Sequence, residues 1–342
     1  MTSAATDETA PRPETASAER TGDESFSAEK SALEARHQRA CLIGQGPAGR
    51  DELLLSYRGD APLIELRAAG RVLLSGRWGW ELNCNGVERR GESQWDWCCW
   101  NSDEDGDYLE LQREWPDGLK WERQLFLSRN HHWLFLSDCI SGLNRSKVAS
   151  GRQGRTAAQA SGAKSARLRS LLPWGDRLQA ETVTGSREVA VRTVKRTVSS
   201  PPGTPLRRTP SVARLFPVAL PQDCSFSSDG RIEADERSVT VELTSPGETI
   251  YCPLILDWNP TRMRGPADWN RLTVSEEGTV LNGDQAAGYR LRLGSAQWLI
   301  YRSLQKSVEG RCLLGYHTRF ESVVGLVQTD GTIKPMVQIE QS

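Results

Sequence analysis

Hydrophobic and polar residues alternate with a period of two along much of the chain after residue 50. The clearest passage contains three segments, DYLELQREW, LKWERQLFL and HHWLFLSDCI, separated by the turns Pro116-Asp117-Gly118 and Ser128-Arg129-Asn130. Successive side chains of a strand point to opposite faces, so the middle segment has one apolar and one largely polar face. Pro presets φ in a turn and Gly supplies positive φ. The sequence therefore predicts a three-stranded antiparallel meander.

The rest of the chain after residue 45 shows the same character. Short apolar runs such as RSVTVELT, ETIYCPLILDW and QWLIYRSL are broken by Ser-Pro-Gly, Asn-Gly-Asp and Asp-Gly, and no run of ten residues forms an amphipathic helix. One strand about every ten residues over roughly 290 residues indicates sheets packed face to face rather than βαβ units. We predict an all-β protein: a large, supersandwich-like antiparallel β-sandwich over residues 49–342.

Three segments depart from this pattern. Residues 1–48 are rich in Ala, Thr, Ser, Glu and Pro, which predicts a disordered tail, with a short helix possible over 27–40 because its residues favour helices. Residues 143–170 and 199–210 are polar stretches inside the sandwich. We interpret both as solvated insertions.

Overall charge gives no reason to expect a nucleic-acid or membrane partner. Lys+Arg number 43 against 44 Asp+Glu, a net charge of −1. The basic stretch 143–170 lacks the aromatic residues that stack on bases, so a solvated loop is favoured over a nucleic-acid site. No secretion signal and no long apolar segment are recognised, which predicts a cytoplasmic protein whose eight cysteines are reduced.

Eight of the 12 tryptophans fall between Gly76 and Asp138. Buried, they would fill the space between sheets; exposed in a row, they would stack on sugar rings. Two pairs of tryptophans have i, i+2 spacing, which would place both members of a pair on one face of a strand. Two arginines of the meander could bind carboxylate groups of a ligand, or they could form ion pairs with residues such as Asp138. The candidate ligand-binding residues are therefore Trp78, Trp80, Trp95, Trp97, Arg123 and Arg129.

Metal sites and catalytic groups are weakly indicated. Asn101, Asp103 and Asp105 resemble the start of a calcium loop, but Gln112 stands where the bidentate Glu belongs, so an acidic hairpin is favoured and no cofactor is predicted. The pair His131-His132 has no metal-ligand spacing and is interpreted as a turn residue followed by a packed one. The pair Cys98-Cys99 is interpreted as core. No catalytic residue is assigned.

The segment WERQLFLSRNHHWLFLSD, residues 121–138, resembles the β-sandwich region of heparinase II/III-like proteins. In that family a helical toroid precedes a large antiparallel β-domain, and the pair cleaves acidic polysaccharides by β-elimination. The resemblance implies the fold of the β-domain. It transfers no catalytic residue, because the toroid that supplies much of the family's catalytic apparatus is not recognised in this sequence.

Two functions are consistent with these patterns. The first is non-catalytic binding of a saccharide, with acidic saccharides included, through the tryptophan-rich face; any enzyme activity would be that of a polysaccharide lyase. The alternative is a structural or scaffolding protein whose sandwich assembles with a protein partner or with a second copy of itself.

Overall fold

The computed structural model describes residues 30–46, 49–91, 93–143, 165–194, 209–307 and 309–341. These residues form 27 strands and one short 3-10 helix, Ala35–His37, with no α-helix among them. No helix within the described ranges is long and apolar enough to cross a membrane. The predicted all-β class is therefore confirmed.

The first half of the chain contributes β1 (Ala32–Glu34), β2 (Arg39–Gly46), β3 (Gly49–Ser56), β4 (Leu63–Ala68), β5 (Arg71–Arg77), β6 (Gly79–Cys84), β7 (Val87–Arg89), β8 (Asp96–Ser102), β9 (Gly106–Glu114), β10 (Lys120–Ser128), β11 (Trp133–Ser141) and β12 (Ala166–Pro173). The second half contributes β13 (Leu178–Thr182), β14 (Val189–Thr193), β15 (Ser211–Pro217), β16 (Gly230–Ala234), β17 (Ser238–Ser245), β18 (Ile250–Asp257), β19 (Ala267–Leu272), β20 (Ser275–Glu276), β21 (Thr279–Val280), β22 (Ala286–Leu293), β23 (Ala296–Ser303), β24 (Arg311–Leu313), β25 (Tyr316–Thr318), β26 (Ser322–Val327) and β27 (Ile333–Ile339).

The strands form five sheets. A central sheet of eight strands has the order β13-β14-β15-β18-β11-β10-β9-β8. The amino-terminal sheet is β1-β2-β3-β4-β5, and the flanking sheet is β16-β17-β12-β6-β7. The outer sheet is β19-β22-β23-β26-β27, and a small sheet has the order β21-β20-β24-β25. All neighbouring strands in the central sheet run antiparallel, as the alternating sequence pattern predicted.

The central sheet is buried on both faces. In β10, Trp121 and Leu125 enter the core shared with the amino-terminal and flanking sheets, whereas Phe126 points the other way and packs with Trp133 and the outer sheet. A third apolar cluster, which includes Leu313, joins the outer sheet to the small one. The predicted sandwich is therefore a stack of several layers around one shared sheet.

The predicted meander is present as β9, β10 and β11, and Gly118 has the positive φ of 82° that its turn requires. Its polar face differs from expectation. Glu122 and Gln124 are buried instead of facing solvent, because the outer sheet covers this side. A two-residue alternation identifies the two faces of a strand but does not reveal that both are covered.

The amino-terminal region also differs from the prediction. Described residues of the predicted helix 27–40 form β1, the 3-10 turn and the start of β2, which pairs with β3 and buries Ala40, Cys41 and Leu42. Strand pairing here overrides helix propensity, which is a weak preference. The sandwich therefore begins before residue 49.

The predicted insertion over 143–170 is shorter than expected, because β12 begins at Ala166 and buries Leu168 and Ser170. The remaining parts of both predicted insertions, 144–164 and 199–208, lie outside the described residues. The same holds for residues 1–29 of the predicted tail.

Candidate functional site

The tryptophan-rich stretch contributes mainly to the core. Trp78, Trp95 and Trp121 are fully buried, and the ring of Trp121 contacts Trp80 and Trp95 edge to face and stacks on Trp115. We use the name tryptophan–arginine cluster for these rings and the two guanidinium groups that lie over them; its members are Trp78, Trp80, Trp95, Trp115, Trp121, Arg113 and Arg123.

Arg123 lies at the centre of this cluster. Its guanidinium carbon is 4.2 Å from the ring centroid of Trp78, and its Nε lies 2.7 Å from Asp138 Oδ1 on the neighbouring strand. Asp138 also accepts hydrogen bonds from Trp121 Nε1 at 2.8 Å and from the Ser170 hydroxyl at 2.5 Å. Burial lowers the pKa of Arg123, although Asp138 opposes this effect. The Arg123–Asp138 ion pair weighed as an alternative is thus present, and it is buried.

The four candidate tryptophans do not form one exposed face. Trp95 precedes β8 and Trp78 precedes β6, so the alternation of a strand does not relate them to Trp97 and Trp80. Trp97 is 43% exposed, Trp80 is partly buried, and the other two have 0% exposure. In this structure a ligand could reach Trp97 and the edge of Trp80, but not Trp78, Trp95 or Arg123.

The acidic residues after β8 form a hairpin turn. The Asp103 carboxylate accepts hydrogen bonds from the backbone amides of Asp105 and Gly106, at 2.9 and 3.1 Å, and from the Asn101 side chain. The candidate ligand-binding residue Arg129 reaches into this turn and bonds Asp107 Oδ1 at 2.7 Å. Within the described residues, no group of three His, Cys, Asp or Glu side chains is arranged to hold a metal.

The histidine pair lies in the turn before β11, as the sequence predicted for His131, and His132 has a φ of 58°. Burial and the Arg262 charge lower the pKa of His131, and its ring contacts Trp298. In the Cys98-Cys99 pair, Cys98 is exposed and Cys99 partly buried; burial and Glu110 raise the pKa of Cys99 to about 11.

A large cleft lies elsewhere, where the central, flanking and outer sheets meet. It has a volume of about 810 Å³, compared with 180 to 300 Å³ for three smaller ones. We call it the interlayer cleft. The side chains that carry its chemistry are Asp223, Phe226, Asp229, Tyr251, Trp269, Arg271, Asp284 and Tyr289.

Tyr289, on β22, lines this cleft and is only 4% exposed, yet its hydroxyl has no hydrogen-bond partner among the described residues. Burial raises the pKa of Tyr289 to about 12, with a partly opposing effect from Arg271. The hydroxyl is therefore protonated at neutral pH and available as a donor. Since Tyr289 lines the cleft, an acceptor on a bound ligand can supply the missing hydrogen-bond partner.

Loops position the remaining groups of the cleft. The indole of Trp269 donates to the carbonyl of Leu220 at 2.7 Å, which fixes the loop after β15 against the outer sheet. A little further along this loop, Phe226 is 64% exposed. A Cβ at Gly283 would lie 2.4 Å from Arg271 Nη2, so glycine allows the guanidinium to lie across the turn.

Sequence reasoning missed the interlayer cleft because its lining comes from many short segments between Gly185 and Tyr289. Several of these, including Ser-Pro-Gly and Asn-Gly-Asp, were interpreted only as turns. The available signal was the pair Trp269 and Tyr289, aromatic residues on two strands that prove to be neighbours.

No protein-family model matches the sequence, and no curated protein matches it either. Heparan sulfate lyase HepC from Pedobacter heparinus is similar in structure, with a TM-score of 0.48 and 10% identity over 81% of this chain and 43% of that one. A mutant of the same lyase has a TM-score of 0.47 and 9% identity over 81% of this chain and 43% of that one. The heparinase III BT4657 gene product has a TM-score of 0.48 and 8% identity over 80% of this chain and 42% of that one. The chain spans less than half the length of these proteins. The weak resemblance predicted from residues 121–138 is thus confirmed, and it concerns the fold alone.

Proposed function

We propose that this protein binds a saccharide in the interlayer cleft. The observation that carries the proposal is the hydroxyl of Tyr289, a donor without a hydrogen-bond partner among the described residues, on a side chain that lines a cleft of about 810 Å³. Ligand pockets are usually about 300–1,000 Å³ and combine apolar surface with a few polar groups. A ligand hydroxyl or ring oxygen would give Tyr289 the partner that the protein does not provide.

The other groups of the cleft suit the two surfaces of a sugar. The exposed ring of Phe226 offers an aromatic plane for the C–H face of a pyranose. Asp229 and Asp284 supply acceptors for hydroxyl groups, and Arg271 supplies donors. This combination of one apolar plane and several polar groups supports binding of a hydroxyl-rich ligand over binding of a purely apolar one.

Calorimetric titration of oligosaccharides selected on a glycan array tests the proposal. We expect Phe226→Ala to weaken binding about tenfold through lost stacking, and Tyr289→Phe to weaken it several-fold through one lost hydrogen bond. Trp97→Ala serves as the comparison, since Trp97 is the most accessible residue of the predicted tryptophan-rich face. Binding that is lost in Trp97→Ala and kept in Phe226→Ala would move the site to that face. No binding of any saccharide would refute the proposal.

A second candidate function, assembly with a protein partner or a second copy, is favoured by the edge of the central sheet. Strand β8 is an edge strand of that sheet, and Asp96, Trp97 and Cys98 on it are exposed. Exposed edge strands can pair with another chain. Light scattering at increasing concentration tests self-assembly: a larger particle that returns to monomer mass in Trp97→Lys supports it, and a monomer throughout refutes it.

A further inference from the structure

The charged side chains that line the interlayer cleft are mostly acidic. They comprise the carboxylates of Asp223, Asp229 and Asp284 and the guanidinium of Arg271, three negative groups against one positive. Arg187 lies beside this lining, but its guanidinium is occupied by backbone carbonyls of the same loop, at 2.9 Å from Pro221 O and 2.5 Å from Asp223 O. The cleft therefore presents more acceptors than cationic donors.

Two of the three carboxylates are available to a ligand. The Asp223 carboxylate accepts the backbone amide of Ser225 at 2.7 Å, and this hydrogen bond lowers the pKa of Asp223. The side chains of Asp229 and Asp284 have no hydrogen-bond partner among the described residues. The Asp284 carboxylate is held against Gly247, where a Cβ would lie 2.2 Å from either oxygen, so its position depends on that glycine.

We propose that the ligand of the interlayer cleft is a saccharide without acidic groups, whose hydroxyls donate hydrogen bonds to Asp229 and Asp284. The inference rests on the proposed saccharide binding and specifies its substrate class. A uronate or sulfate group would face three carboxylates against one guanidinium, and this excess of like charge disfavours an acidic ligand most at low ionic strength. Arg271 and Tyr289 then bind ring or hydroxyl oxygens of the same ligand.

A glycan array with uncharged, amine-bearing and acidic oligosaccharides tests the class. We expect binding of oligosaccharides that lack acidic groups and none of uronates or sulfated sugars. Preferential binding of acidic sugars would overturn this inference and leave saccharide binding intact, whereas no binding on the whole array would overturn the proposed function as well. Galacturonate oligomers and their methyl esters form a matched pair on the array, and tighter binding of the free acid contradicts the inference.

Substitutions of Asp229 and Asp284 test whether these two carboxylates accept hydrogen bonds from the ligand. Asp229→Asn and Asp284→Asn keep the side-chain shape, and each should weaken binding of the best uncharged oligosaccharide about tenfold, because a charge-assisted hydrogen bond becomes a neutral one. Glu236→Gln, at an exposed turn between β16 and β17, is the control and should leave affinity unchanged. If both Asp variants bind as the unaltered protein does, or bind more tightly, the assigned acceptors are wrong.

Discussion

The tryptophan–arginine cluster and the interlayer cleft are built from similar side chains, aromatic rings beside charged groups. In the cluster these groups bind one another: Asp138 pairs with Arg123 and accepts two further hydrogen bonds. In the cleft, the hydroxyl of Tyr289 and the carboxylate of Asp284 have no partner among the described residues. The tryptophan-rich stretch therefore contributes to the core of this protein, whereas the polar groups that line an open cleft indicate the candidate site.

The largest expected difference between the two regions concerns their arginines. Arg123→Met keeps volume but leaves the Asp138 carboxylate buried without its cation, and should lower the free energy of unfolding by about 3–5 kcal/mol. The same change at exposed Arg271 should leave stability unchanged within error and weaken saccharide binding. Urea denaturation of both variants measures the contrast. Equal losses at the two positions would remove the distinction between core and site.

A smaller effect extends the comparison to the other face of the central sheet, where Arg302 Nη2 lies within 3.0 Å of both Glu110 and Glu122. Burial alone raises the pKa of Glu122, but Arg302 and Lys120 outweigh it, and the pKa lies below its usual 4.5. The stabilisation from this carboxylate is therefore complete above pH 4.5 and is lost as the pH falls through the folded-state pKa.

Glu122→Gln should accordingly destabilise the protein by about 1–3 kcal/mol near neutral pH, because a charged partner of Arg302 is removed. The difference should shrink as the pH falls below 4.5, when the original carboxyl also becomes neutral. Urea titrations at pH 3, 5 and 7 measure it, with exposed Glu236→Gln as the control. A difference that does not change with pH would show that Glu122 acts through packing.

The smallest effect compares two buried hydroxyls. The Ser170 hydroxyl bonds Asp138 and accepts a hydrogen bond from Trp78 Nε1 at 3.0 Å, so Ser170→Ala should cost about 1–2 kcal/mol of stability without changing ligand affinity. Tyr289→Phe should weaken ligand binding and leave the free energy of unfolding unchanged, because the Tyr289 hydroxyl has no partner among the described residues. Calorimetry and urea denaturation on the same preparations measure both quantities. A clear loss of stability in Tyr289→Phe would mean that its hydroxyl serves the fold.

The parts of the fold that could be predicted are those determined by neighbours in sequence. The meander follows from strong alternation and from a Pro-Asp-Gly turn, which join strands that are adjacent in the chain. The place of β18 between β15 and β11 could not be predicted, since it depends on pairings between distant segments. The burial of Glu122 could not be predicted for the same reason, because the strands of the outer sheet that covers it all come after residue 266 in the sequence.

The candidate residues show a similar limit. Trp95 and Trp97 have the spacing of a shared face, but the strand begins between them, and strand ends are poorly defined by sequence patterns. The interlayer cleft could not be found from local patterns at all, since its lining is assembled from segments of three sheets.

The position of β18 has a consequence for synthesis of the protein. The meander β9-β10-β11 is complete when residue 141 has been made, but the strand that pairs with the free side of β11 begins more than a hundred residues later. Until then the backbone donors and acceptors of Trp133–Ser141 that point away from β10 have no permanent strand partner. A nascent chain in this state displays an open, apolar sheet edge to other chains, which makes the period before Ile250 emerges the time of greatest risk of aggregation.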